Sequence, residues 1–427
     1  MGKILTSITI FIFLFISIGI NAFSFLGIEE SASYILIESK TGNVIVQNRA
    51  NDIIRPASTT KIMTAIVALE HGNLNDTMDI SLSAVLDIGP SGMNIGLQAG
   101  ETGLTLEHML NVLLIRSANE TANIIAENVG KSREDFLEKM NHKALELGAE
   151  NTYFVNPSGK DNLEIENKQL TTASDMVKIA RFAMSIPTFR KIVKKSRYDS
   201  LPPTNIHDSW NPIFTTNRLI LNNNEYSYER GGKEKKYTIN GIKTGYTRKA
   251  QGNLIISGVN EDGIELIAAI MNVRMVRDTF VYGRRLLEYG FSNYSQETLV
   301  NKGDTVKNIS IQTQEGSKNL TLIASNELKA PLPKNTSITS LDIEKKTNIP
   351  DNKDIIEGEI LGQIEYKKDE LALGTVHLLA GNDIIYTQSQ SIKTPKMSKQ
   401  RSTVIFIVIL LIAFLSVIVK KLKKQKN

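Results

Sequence analysis

The stretch Pro56-Ala57-Ser58-Thr59-Thr60-Lys61-Ile62-Met63-Thr64-Ala65 sets a serine and a lysine one helical turn apart, after a proline and before an apolar run. Positions three apart share a helix face, so the Lys61 amine can reach the Ser58 hydroxyl. A serine becomes a useful nucleophile when a neighbouring base takes its proton, and a desolvated lysine can be that base. If Ser58 opens the helix, unpaired N–H groups and the positive dipole end also favour negative charge there. By itself the pattern is a common coincidence: a capping serine and a solvated first-turn lysine. Its meaning depends on the rest of the chain.

Outward from this stretch, two further triplets follow in order. Ser117-Ala118-Asn119 lies at a break in the helical patterning of Leu106 to Val129. Lys243-Thr244-Gly245 lies further on, at the end of an expected strand, Tyr237 to Lys243. Each has a physical use. Ser117 can relay a proton to a leaving amine, and the Asn119 amide can hold a substrate carbonyl. Lys243 and Thr244 offer charge and a hydroxyl to a carboxylate, and Gly245 lets the strand lie close to a ligand. Backbone N–H groups of Ser58 and Tyr246 can form an oxyanion hole. Lys40-Thr41-Gly42 repeats one triplet but reads as a hairpin turn, and Ser209-Trp210-Asn211, followed by Pro212, reads as a loop.

The flanking elements read as short strands over Ser33–Glu38 and Asn43–Asn48, and helices over Ser58–His71, Arg133–Leu147, Thr172–Met184 and Asp278–Tyr289. Strands follow over Gly252–Val259 and Glu265–Val273, with Asp262-Gly263 as a hairpin turn. Strands at both ends with helices between them imply an α+β domain around an antiparallel sheet. Past Tyr294 the segments become short and β-like, implying a small all-β domain. The expected organisation is a signal segment 1–22, a catalytic domain 23–294, a β-rich domain 295–390 and a linker 391–401, followed by a membrane-spanning helix 402–419 and a basic tail 420–427.

The ends set the expected compartment. Met1-Gly2-Lys3 followed by the apolar run Ile4–Ile20 has the build of a secretory signal, with Ala22 as a loose cleavage point. Ser402 to Val419 carries no charge and gives roughly 27 Å of helix, enough to span a bilayer core. The five lysines among residues 420–427 equal the formal net charge of +5, so the remainder is near neutral, which disfavours a nucleic-acid surface. With no cysteine, disulfide and thiolate chemistry are excluded. The five histidines form no H-x-x-x-H or H-x-H cluster, so no metal or other cofactor is expected.

Serine-x-x-lysine, serine-x-asparagine and lysine-threonine-glycine in this order are the signature of penicillin-recognising serine acyltransferases. The chain resembles the low-molecular-mass penicillin-binding D-alanyl-D-alanine carboxypeptidases. Pro56–Thr64 is similar to that family's nucleophile box, Phe154-Val155-Asn156-Pro157-Ser158-Gly159 to its Asn-Pro-x-Gly loop, and Asn240–Thr247 to its K-T-G strand. The resemblance implies an α/β sandwich of the β-lactamase and transpeptidase type. It also implies a Ser58 acyl-enzyme, the D-Ala-D-Ala end of peptidoglycan stem peptides as substrate, and inhibition by β-lactams. A free terminal carboxylate calls for a nearby arginine, with Arg274 and Arg277 as candidates. Ala118 replaces the aspartate of lactamases, and the spanning helix departs from the surface-lying helix common in the family. A β-lactamase is an alternative, but Glu150, Glu164 and Glu166 lie outside an E-x-x-L-N setting. A transpeptidase and a non-catalytic β-lactam sensor or scaffold are further alternatives.

Overall fold

Burial on both faces decides where the first strand lies. In Ser33–Glu38 every residue is buried, Ile35 and Ile37 toward one face and Tyr34 and Leu36 toward the other. Such a strand is covered on both sides and sits inside a sheet. A computed structural model describes residues 26–386, except positions 90, 162, 222, 335, 369 and 370; the expected signal and spanning segments lie outside the described residues. Among the described residues no helix is long and apolar enough to cross a membrane.

The central sheet has six strands in the order Val44–Asn48, Ser33–Glu38, Glu265–Val273, Gln251–Asn260, Lys233–Thr247, Glu225–Arg230. Every pairing is antiparallel. The first strand therefore pairs with one far along the chain, Ile35 opposite Ala269. One face carries the helix Val276–Asn293, whose Leu286, Leu287 and Phe291 share a core with Leu36, Leu254 and Leu266. The other face carries Lys61–His71 and the helices Leu106–Ile115, Asn119–Val129, Arg133–Glu146 and Ala173–Ser185. Lys61 to Ala68 is buried on all sides, so this helix runs through the core.

Local chemistry explains the boundaries. Thr172 caps Ala173–Ser185 by accepting from the Asp175 N–H. The Lys40-Thr41-Gly42 triplet is a turn, held by the Glu38 carboxylate on the Lys40 and Thr41 N–H groups, with Gly42 at φ +81°. One expectation is corrected: Lys243-Thr244-Gly245 lies within its strand, which runs on to Thr247. Pairing with Gln251–Asn260, Gly245 opposite Asn253, carries the backbone past the glycine.

A five-stranded sheet follows in the order Thr305–Thr313, Gly316–Ala324, Leu371–Ala380, Ile360–Lys368, Asp342–Thr347. Leu328–Pro333 pairs with Tyr294–Val300. The described chain forms two compact units, one built on residues up to Leu299 with Leu328–Ile343 and Glu365–Gly374, the other on the remainder.

Candidate active site

Pro56 starts a short 3-10 turn, Ala57–Thr60, that feeds directly into the Lys61 helix. Thr59 ties the turn down, its hydroxyl donating to the Pro56 carbonyl at 2.7 Å. Ser58 thus sits just before the helix proper, preceded by Ala57 at φ +48°. A non-glycine residue in that region costs of order 1–3 kcal/mol and persists only where its surroundings hold it. Gly159 is part of that hold, since a Cβ there would land on the Ala57 carbonyl. Gly245 is another part: a Cβ there would stand 3.1–3.2 Å from the Pro56 O, Ser58 N and Thr59 N atoms. The Gly245 strand thus makes its close approach to the nucleophile turn itself.

Lys61 is fully buried. Its Nζ lies 3.0 Å from Ser58 Oγ, 2.7 Å from Asn119 Oδ1 and 2.6 Å from the Ser158 carbonyl. Burial, and then the positive charge of Lys243, hold its pKa well below that of an ordinary lysine; Glu120 pulls the other way. A neutral amine has two N–H groups and one lone pair. In its neutral form Lys61 can give its two N–H groups to the two acceptor oxygens and turn its lone pair toward Ser58 Oγ.

Ser117 stands at the break between Leu106–Ile115 and Asn119–Val129, at φ +67°. Its Oγ receives a hydrogen bond from Lys243 Nζ at 2.8 Å, and Lys243 also donates to the Thr244 carbonyl at 3.0 Å. Lys243 is buried, and desolvation brings its pKa down to about 7. Its amine is directed at Ser117 and exchanges a proton near neutrality. Thr244 Oγ1 pairs with Thr216 Oγ1 at 2.6 Å.

The structure links Ser58, Lys61 and Asn119 in one set of contacts, and Ser117, Lys243 and Thr244 in a second. Gly245 packs on the first set, and Tyr246 follows on the strand, largely exposed. The Asn119 amide nitrogen donates one N–H to the Ile88 carbonyl at 2.7 Å while its oxygen accepts from Lys61, which fixes the amide and leaves its second N–H for a substrate carbonyl. Arg277 is exposed and paired with Asp278, and Arg274 is exposed with its backbone N–H on Glu29. Glu166 is committed to Lys160 and the Leu163 N–H.

Several positioning residues carry no signal in the sequence pattern. Gln169 donates to Thr60 Oγ1 and the Asn156 carbonyl while accepting from the Val155 and Asn156 N–H groups, clamping the loop that supplies the Ser158 carbonyl. Thr64 donates to the Pro157 carbonyl at 2.6 Å. Asn253 donates to the Arg55 and Pro56 carbonyls, anchoring the nucleophile turn to the sheet. Glu120, next to Asn119 in the chain, is buried; its Oε1 accepts from the Ile95 N–H at 2.6 Å and its Oε2 has no hydrogen-bond partner among the described residues. For Glu120, the place beside the second triplet is the one visible signal.

Comparison with known proteins adds to this geometry. Residues 27–275 match the family described as D-alanyl-D-alanine carboxypeptidase. The chain belongs to that family. Residues 294–385 match the C-terminal domain of penicillin-binding protein 5. The chain is 29% identical to D-alanyl-D-alanine carboxypeptidase DacF of Bacillus subtilis (strain 168) over 362 residues, 83% of this chain and 86% of the relative. It is 25% identical to D-alanyl-D-alanine carboxypeptidase DacA of Haemophilus influenzae over 364 residues, 82% and 84% of the two chains. A peptidoglycan synthesis regulatory factor (PBP3) of Streptococcus pneumoniae matches with a TM-score of 0.65 at 23% identity, covering 82% of this chain and 98% of that one. The fold is the α+β fold of penicillin-binding proteins with a C-terminal β domain, and the protein is a serine-type D-alanyl-D-alanine carboxypeptidase.

Proposed function

We propose that this carboxypeptidase removes the terminal D-alanine of peptidoglycan stem pentapeptides through an acyl-enzyme on Ser58, limiting cross-linking of the wall and so affecting cell shape. The observation that carries the reading is the setting of Lys61: two oxygens take its N–H groups, and Ser58 Oγ stands 3.0 Å away. Lys61 takes the Ser58 proton as the oxygen attacks the penultimate D-alanyl carbonyl, and the N–H groups of Ser58 and Tyr246 receive the oxyanion. Collapse breaks the C–N bond, with Ser117 passing a proton from Lys243 to the departing amine. Water then adds to the ester, releasing the shortened peptide and returning a proton to Ser58. Thr244 and Thr216 offer hydroxyls to the terminal carboxylate. β-Lactams enter at the same acylation step.

The apolar segments 4–20 and 402–419 support export and a C-terminal anchor, with the catalytic unit outside the cytoplasm. The test uses purified protein and a D-Ala-D-Ala-terminated pentapeptide, with free D-alanine and fluorescent-penicillin labelling as readouts. Wild type is expected to release D-alanine and be labelled, and Ser58→Ala to do neither. Survival of either signal in Ser58→Ala overturns the reading. Labelling without D-alanine release points to a sensor, and rapid penicillin turnover to a lactamase.

A further inference from the structure

A cleft of about 560 Å³, in the size range of ligand sites, is lined by residues that include Asn94, Ile95, Arg116, His207, Trp210 and Phe214. Its walls are joined to the catalytic elements through the chain and through hydrogen bonds. Arg116 directly precedes Ser117. Ile95 is held by Glu120 at 2.6 Å, the Thr216 N–H donates to the Ile115 carbonyl at 3.2 Å, and the Thr216 hydroxyl pairs with that of Thr244. The Ser209-Trp210-Asn211 loop, which the catalytic triplets leave unused, forms one side.

Charge in this cleft is unbalanced. Arg116 is exposed and has no ion pair or side-chain hydrogen bond among the described residues. His207 already has a partner, its Nδ1 lying 2.7 Å from Glu101 Oε1, whose side chain is wholly buried. No acidic side chain lines the cleft among the described residues. The apolar surfaces are fixed: Trp210 stacks on His207 with ring centroids 4.2 Å apart and donates its indole N–H to the Pro202 carbonyl, and Phe214 is half exposed. A guanidinium beside aromatic rings suits a carboxylate at the end of an aliphatic chain.

We propose that this cleft is a leaving-side subsite, taking a departing D-amino acid or peptide amine that carries a carboxylate on an extended side chain, with Arg116 as its counter-charge. The proposal rests on the reading of Ser117 as the group beside the departing amine, because the cleft opens at its chain neighbour. A single D-alanine occupies little of this volume, so a larger leaving fragment has room. The chemistry is that already given: the ester to Ser58 forms, the C–N bond breaks, the amine gains a proton, and water hydrolyses the ester.

The experiment offers the full-length protein three peptides identical up to the penultimate D-alanine and ending in D-alanine, D-glutamate or D-lysine, and measures the released amino acid. Wild type is expected to cleave the D-glutamate peptide with kcat/KM roughly fivefold above the D-lysine peptide, the scale of one partly exposed charge contact. Arg116→Gln should remove that ratio, Arg116→Glu invert it, and Arg116→Lys keep it. Penicillin labelling of Ser58 in each variant reports an intact site. A wild-type ratio near one, or a ratio unmoved in Arg116→Gln, overturns the subsite. If wild type is labelled but releases no terminal residue from any peptide, the hydrolase reading fails and the subsite falls with it.

Discussion

At the residue scale the site turns on two buried lysines that share one neighbourhood. An amine with an ordinary lysine pKa of 10.5 is charged at neutral pH and cannot act as a base; burial beside Lys243 lowers that of Lys61. Raising the pH therefore supplies neutral Lys61 well before 10.5, while Lys243 loses its proton through about 7. In the proposed mechanism the competent form has Lys61 neutral and Lys243 protonated. The pH profile of penicillin acylation should rise as Lys61 is neutralised and fall on its alkaline side as Lys243 loses its proton through about 7, and a profile still climbing at pH 10 contradicts this. Glu120 raises the Lys61 pKa, so Glu120→Gln should move the acid limb to lower pH. The stability sign is the reverse of a salt bridge. Lys243 is charged up to about 10.5 when unfolded and only up to about 7 when folded, so its burial destabilises most at and below pH 7. Lys243→Met should raise Tm by a few degrees at pH 7, by less toward pH 10, and abolish turnover, all readable by calorimetry and assay.

At the scale of elements, the nucleophile turn is held by three others: the loop ending at Gly159, the strand through Gly245, and Asn253 on its neighbour. Gly159 has φ +84° and no room for a Cβ against Ala57. Gly159→Ala should displace Ser58 and the Ser158 carbonyl together, cutting acylation by more than about 100-fold and lowering stability by roughly 1–3 kcal/mol. Gly245→Ala meets its neighbours at 3.1–3.2 Å, so a smaller loss, about tenfold, is expected in the same assay. Equal behaviour of the two variants would mean that the turn is not held as described. The helices and strands themselves were largely legible, because periodicity follows from which face is covered. The strand through Lys243 outran its reading because pairing along its whole length stabilised residues whose own preferences did not mark a strand.

At the scale of the whole molecule, the chain carries a catalytic family match at 27–275, a second match at 294–385, and an apolar segment followed by lysines at its end. The proposed anchor makes a direct prediction. The full chain should partition with membranes and resist extraction by high salt, which screens lysine–headgroup attraction but leaves apolar insertion intact. A chain of residues 23–395, without either apolar segment, should be recovered in the soluble fraction with D-alanine release retained, and adding back residues 396–427 should return it to the membrane; a soluble chain after that addition refutes the anchor.

The sequence alone determined the order and type of the catalytic groups and the antiparallel α+β character, since motif spacing and apolar periodicity are properties of the chain itself. It is also the whole basis of the proposed anchor. Tertiary structure decided what the catalytic groups do. Whether Lys61 is a base depends on its burial, on Lys243 from a distant strand and on the Ser158 carbonyl from a separate loop. The Asn119 amide is fixed in orientation by Lys61 and by the Ile88 carbonyl, partners that its own triplet does not reveal. Desolvation and hydrogen-bond partners come from elements far apart in the chain, so no local pattern could encode them.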